Sequence, residues 1–129
     1  LVRAYLELMH LRMPDRLEYS VVVEPTLGTL RFPPMALLTL VENAIRHGVD
    51  PGEQGARVDV GGAREADGRH VRLWVADTGI GLRHGVVPGT GLANLRARLQ
   101  GAFGDSAQLV LAPNLPRGVR AEQSFPIQV

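Results

Sequence analysis

The sequence predicts an α+β fold: a two-layer α/β sandwich with helices on one face of a mixed, mostly antiparallel sheet. Three observations carry this. Segments with a helical apolar period and segments with a strand period follow one another in the order α-β-α-β-β-α-β-β. The later strands fall in two close pairs joined by polar, Gly- and Pro-bearing turns, which favours antiparallel neighbours. At 129 residues the chain is one domain, spanning residues 1–129, and a 45 % apolar share with only 5 % aromatics builds a core from Leu, Val, Ala and Ile.

From Leu1 to about Met13, apolar Leu1, Tyr5, Leu8, Met9 and Leu11 follow a helical period that Pro14 stops. Leu17, Tyr19, Val21 and Val23 alternate along a strand closed by Pro25. Pro33 and Pro34 lead into a second helix from Met35 to about His47, with Leu37, Val41, Ala44 and Ile45 on one face and Gly48 as terminator. Val49 to Ala56 reads as a mobile loop. Arg57 to Ala63 and His70 to Ala76 form a hairpin about the turn Arg64 to Arg69. A short, Gly-punctuated loop then precedes a third helix carrying Leu92, Leu95 and Leu99. Gln108 to Ala112 and Val119 to Phe125 pair across a turn of Pro113, Asn114, Pro116 and Gly118.

Composition excludes several chemistries. All 14 basic residues are Arg, so no lysine exists for a Walker-type phosphate loop. The absence of cysteine removes disulfides, thiolate metal sites and thiol nucleophiles, and permits a reducing cytoplasm. No apolar run approaches the roughly 20 residues of a membrane helix. The chain opens at Leu1 inside a helical pattern, so it is expected to be a fragment of a longer protein, cytoplasmic itself, whose remainder could hold an inner-membrane anchor.

Three clusters carry chemistry. On the second helix, Glu42 and Arg46 stack on one line and Asn43 and His47 on the next, projecting a carboxylate, a carboxamide, a guanidinium and an imidazole together. Such a set suits Mg²⁺, phosphates and an attacking group, although a plain solvated helix face with a Glu–Arg pair fits equally well. In the second cluster, strand alternation puts Asp77 on the apolar face with Val71, Leu73 and Val75. A carboxylate there calls for a strong donor such as the exocyclic amine of a purine, with Gly79 and Gly81 letting the backbone approach a flat ligand. The alternative is an Asp that simply starts a turn. Third, Gly89, Thr90 and Gly91 run into a helix whose N–H groups can accept phosphate oxygens, or which merely begins after a loop.

In this order and at these spacings, LVENAIRHG, VRLWVADTGIG and GTGLANLRARL resemble the N, G1 and G2 boxes of the Bergerat-fold ATPases, the superfamily of gyrase, heat-shock chaperone, histidine kinase and mismatch-repair proteins. Together with YLELMHLRMPDRL and PPMALLTLVENAIRHG, and with the very short loop between Gly81 and Gly89, they are most similar to the catalytic domain of LytS-type sensor histidine kinases. The resemblance spans nearly the whole chain. It implies that the cofactors are ATP and Mg²⁺, that Asn43 binds the metal, that Glu42 polarises the attacking group, and that Arg46 and His47 contact phosphates. It further implies that Asp77 reads adenine, that Gly79 and Gly81 shape its pocket, and that Gly89, Thr90, Gly91 and Leu92 form the phosphate-side lid. Leu38, Thr39 and Val119 depart from the pattern, which has Gln, Pro and Thr there, so adenine is expected to lean more on Asp77 and water.

The implied reaction is transfer of the ATP γ-phosphoryl group to a histidine on an upstream dimerisation domain of a homodimeric protein. A response regulator would be a further partner, and no nucleic acid is expected. His10 lacks the flanking pattern of a phosphoacceptor and reads as a surface or packing histidine. An ATPase or serine kinase on the same fold, or a catalytically silent nucleotide sensor, are the alternatives. The segment from Leu82 to Pro88 is expected to order only when phosphates bind.

Overall fold

A computed structural model describes residues 2–24, 27, 36–46, 55–79, 90–114 and 117–127. The elements follow the expected order: α1 (Val2–Arg12), β1 (Leu17–Val23), α2 (Ala36–Ala44), β2 (Ala56–Arg64), β3 (His70–Asp77), α3 (Thr90–Phe103), β4 (Gln108–Pro113) and β5 (Val119–Pro126), with a 3-10 turn at Gly104–Ser106. None of the described helices is long and apolar enough to cross a membrane.

The sheet order is β1-β2-β3-β5-β4. Only β1 and β2 run parallel, Leu17 facing Ala56 and Val23 facing Gly62. A parallel pair cannot be closed by a tight turn, and α2 lies in the connection between these two strands. The other pairs are antiparallel: Val60 faces Val75, Val75 faces Ala121, and Leu111 faces Ala121. The long connection through α3 and β4 brings β5 back against β3, leaving β4 at the edge.

Strand alternation then sorts the side chains. Val58, Val60, Val71, Leu73, Val75, Ala121 and Phe125 turn inward, where they join Leu40, Val41, Ala44 and Ile45 of α2 and Leu95 and Leu99 of α3 in one core. Each Val, Leu, Ile or Phe side chain among them contributes roughly 1.5–3 kcal/mol by leaving water. Phe103, at the end of α3, stacks on Phe125 with centroids 5.5 Å apart. Helix α1 buries Leu6 and is tied to β1 by His10, whose Nδ1 lies 2.6 Å from the Leu17 carbonyl oxygen. A carbonyl only accepts, so Nδ1 carries the proton, and of the surface and packing roles that the sequence leaves open His10 takes the packing one.

The outer sheet face is mostly polar but also carries Val22, Val110 and Trp74, the last lying over Gly61 so closely that a Cβ there would enter the indole. The Arg72 and Arg120 guanidinium carbons sit 5.4 and 5.0 Å from the indole centroid, and Glu122 forms ion pairs with both arginines at 3.3 Å, accepting a hydrogen bond from Arg120.

One inward residue breaks the pattern. Gln123 of β5 is 0 % exposed, and neither atom of its amide has a hydrogen-bond partner among the described residues. An unpaired buried amide costs about 1–3 kcal/mol. Gln123→Met, close to it in volume, is therefore expected to raise unfolding stability by roughly that amount in a urea titration. An unchanged or lower midpoint would show that the amide is satisfied in solution.

Candidate functional site

Helix α2 presents the first cluster. Leu38, Leu40, Val41, Ala44 and Ile45 are buried, so the helix is pinned to the sheet and Glu42 and Arg46 are left in solvent, with Asn43 half-buried between the two faces. The regular helix ends at Ala44 and passes into a wider, π-type turn at Ile45 and Arg46. The sequence predicts a regular helix to about His47.

Strand β3 carries the second cluster to the same layer, since α2 packs against β3. Asp77, its last residue, is 3 % exposed on the helix side of the sheet, beside Val75 at 1 %. Its Oδ1 accepts hydrogen bonds from the backbone N–H of Gly79 at 2.9 Å and of Val119 at 3.4 Å. Among the described residues no donor meets Oδ2. Burial pushes the Asp77 carboxyl above its ordinary range, against the opposing pull of the Gly79 and Val119 N–H groups. The result is a desolvated carboxylate with one oxygen secured by the Gly79 and Val119 N–H groups and, among the described residues, the other available.

The strand end is held from both sides. Thr78 donates its N–H to the Arg57 carbonyl at 3.0 Å, and its Oγ1 accepts from the Arg57 N–H at 2.8 Å. From the turn between β4 and β5, Asn114 Nδ2 donates to the Asp77 carbonyl at 2.8 Å and Arg117 Nε to the Gly79 carbonyl at 2.7 Å. Gly118 lies against the Asp77 carbonyl with φ at +111°. The sequence treated Asn114, Arg117 and Gly118 only as a connection. Their Asn and Gly content signals a turn, but which carbonyls they approach is set by β5 pairing with β3.

The third cluster lies at the start of α3, which packs against α2. Thr90, Gly91 and Leu92 belong to its first turn, so the helix begins two residues earlier than Leu92, where the sequence placed the start. Backbone N–H groups in a first turn lack intrahelical acceptors and favour anions. His47, Gly81 and Gly89, and the segment from Leu82 to Pro88, lie outside the described residues.

A separate group, Glu65, Asp67 and His70, places potential ligand atoms within 4.8 Å of one another. Its members are engaged in closing the β2–β3 hairpin. Asp67 accepts from the Arg69 and His70 N–H groups and from His70 Nδ1, and Glu65 accepts from Ser124 Oγ. The Arg69 N–H and the His70 ring hold the Asp67 carboxyl below its ordinary range.

No family model matches the chain. A sensor histidine kinase/phosphatase, LytS of Staphylococcus aureus strain MRSA252, is 36 % identical over 121 residues, covering 84 % of this chain and 20 % of the relative. The chain thus spans 20 % of the length of the curated relatives it matches. Among solved structures, the histidine kinase domain of the blue-light activated kinase of Erythrobacter litoralis EL346 superposes with a TM-score of 0.68 at 18 % identity, over 95 % of this chain and 63 % of that one. The mycobacterial sensor histidine kinase MprB gives 0.67 at 20 % identity, over 98 % and 92 %. Full-length ShkA in complex with AMPPNP gives 0.69 at 24 % identity, over 99 % and 29 %.

Proposed function

We propose that this chain, a homologue of the LytS sensor histidine kinases with the fold of histidine kinase catalytic domains, binds Mg·ATP and transfers its γ-phosphoryl group to a histidine on an upstream dimerisation domain. The observation that carries the reading is the Asp77 carboxylate, buried at 3 % exposure on the helix side with only Oδ1 engaged among the described residues. A charge desolvated to that extent demands a donor, and the exocyclic amine of adenine supplies one.

The remaining residues fit the rest of the nucleotide. The first turn of α3 offers backbone N–H groups to phosphate oxygens, and the Asn43 carboxamide oxygen is a hard ligand suited to Mg²⁺. When bound, the metal would neutralise phosphate charge. Glu42, in solvent on the same helix as Asn43, is free to meet the acceptor imidazole, with Arg46 beyond it near the phosphates. Phosphoryl transfer needs positioning and charge stabilisation more than covalent chemistry, and this residue set supplies both. His47, Gly79, Gly81, Gly89, Thr90, Gly91 and Leu92 complete the proposed nucleotide contacts. The full protein would act as a homodimer and pass the phosphoryl group to a response regulator.

The test is incubation with γ-labelled ATP and the upstream histidine-bearing domain. Label that is stable in base and labile in acid on that domain is the expected result, and release of label solely as inorganic phosphate would overturn the reading in favour of an ATPase. Metal and base recognition can also be separated. Asn43→Ala is expected to weaken Mg·ATP about 10- to 100-fold while changing adenosine affinity by less than about threefold. Equal losses for both ligands in calorimetry would point instead to damage to α2.

A further inference from the structure

We propose that Asn114 and Arg117 are positioning residues for the Asp77 carboxylate and thereby set a preference for adenine over guanine. This rests on the nucleotide reading above and adds to it two residues that would act through Asp77. The argument starts from how few ways the end of a strand can be fixed. Beyond its last ladder pair, a strand's carbonyls normally point to water, and the chain frays.

Here they do not. Asp77 and Gly79 each surrender a carbonyl to a side chain from the β4–β5 turn, through Asn114 Nδ2 at 2.8 Å and Arg117 Nε at 2.7 Å. The intervening Thr78 is bonded on the opposite side to Arg57. Three consecutive residues are thus gripped alternately from β2 and from the turn. Asn114 is itself fixed, because its N–H donates to the Gly118 carbonyl at 3.0 Å.

The consequence falls on the carboxylate. Oδ1 is held by the N–H of Gly79, whose carbonyl is fixed by Arg117, and by the N–H of Val119 directly after the turn, so the direction of Oδ2 is set by the same turn. An Oδ2 of fixed direction attracts the 6-amino group of adenine and repels the 6-oxo group of guanine. A carboxylate free to swing would let water mediate either base, and the distinction would narrow.

The test compares ATP, GTP and inorganic tripolyphosphate in calorimetry for the parent chain, Asn114→Asp, Arg117→Ala and Asp77→Asn. Asn114→Asp keeps the side-chain shape but turns the donor toward Asp77 into an acceptor, whereas Arg117→Ala alters an exposed residue and is the variant expected to fold in any case. Each is expected to weaken ATP about tenfold, leave tripolyphosphate within about twofold, and shrink the ATP-to-GTP ratio. In both, the Gly79 amide proton resonance should move upfield as its bond to Oδ1 lengthens. Parallel losses of ATP, GTP and tripolyphosphate would mean general destabilisation and overturn the proposal, as would an unchanged ratio in both variants. If Asp77→Asn abolishes ATP binding while the turn variants leave the ratio intact, only the positioning role fails. If Asp77→Asn itself binds ATP normally, the nucleotide reading fails and this inference falls with it.

Discussion

Asp77→Asn is expected to abolish measurable ATP binding while leaving the fold at least as stable as that of the parent. The asparagine Oδ1 can go on accepting from the Gly79 and Val119 N–H groups, so the loop retains its anchor. In the place of Oδ2 stands an NH₂ group, and a donor then faces the donor of adenine. Losing a charge-assisted bond and stranding two donors costs roughly 3–5 kcal/mol, or about 10²- to 4 × 10³-fold in affinity.

Stability moves the other way. Burial raises the folded carboxyl above the ordinary aspartate value of 3.8. Below that value both folded and unfolded chains hold the proton, and the group contributes nothing. As pH rises, the unfolded chain releases its proton first, so stability falls until the pH passes the raised folded value and the cost becomes constant. The Asn variant has no such slope. Thermal melts from acidic to neutral pH should therefore show the parent losing ground to the variant as pH rises. ATP affinity of the parent should increase over the same window, because only the ionised carboxylate accepts at both oxygens. Tight ATP binding by the Asn variant would make Asp77 a turn residue and nothing more.

Gly118→Ala is expected to be the most damaging single-methyl substitution in the described strands and turns. Gly118 has φ at +111°, a conformation that side chains disfavour, and an added Cβ would overlap the Asp77 carbonyl. That carbonyl cannot retreat easily, since β3 is paired on one side with β2 and on the other with β5. A loss of about 2–4 kcal/mol in unfolding free energy is expected, read as a lower urea midpoint at unchanged slope. Gly68 is the control: its φ is +70°, but nothing lies within 4 Å of an added Cβ, so Gly68→Ala should cost only about 1 kcal/mol. Equal effects at the two positions would show that backbone conformation, and not the close approach to Asp77, governs Gly118.

Much of this protein was legible in its sequence because the signals are local and periodic. Alternation along Val71, Leu73, Val75 and Asp77 put the carboxylate on the inner face, where it is found. Helical spacing on α2 separated Val41, Ala44 and Ile45 from Glu42, and prolines and glycines marked the element ends to within a few residues. Where the local signal was weak, the boundary moved: the α3 start lies at Thr90 because a glycine-rich segment carries no apolar period to read, and the wide turn at Ile45 and Arg46 leaves no mark in the residue pattern.

The sequence by itself determined the order of elements and the inward faces of the strands and of α2, but not that of α1, where Leu8 and Leu11 of the expected apolar period are 59 % and 77 % exposed and Leu6 is buried instead. Only the tertiary structure decided how the carboxylate at the heart of the candidate site is held. Asn114, Arg117 and Gly118 are about 40 residues from Asp77 along the chain and reach it only because β5 returns to lie between β3 and β4. The same return put Gln123 into an apolar core without a partner among the described residues. Periodicity reports what a segment turns inward or outward, whereas hydrogen-bond partners across a sheet are fixed by register and strand order, which no single segment encodes.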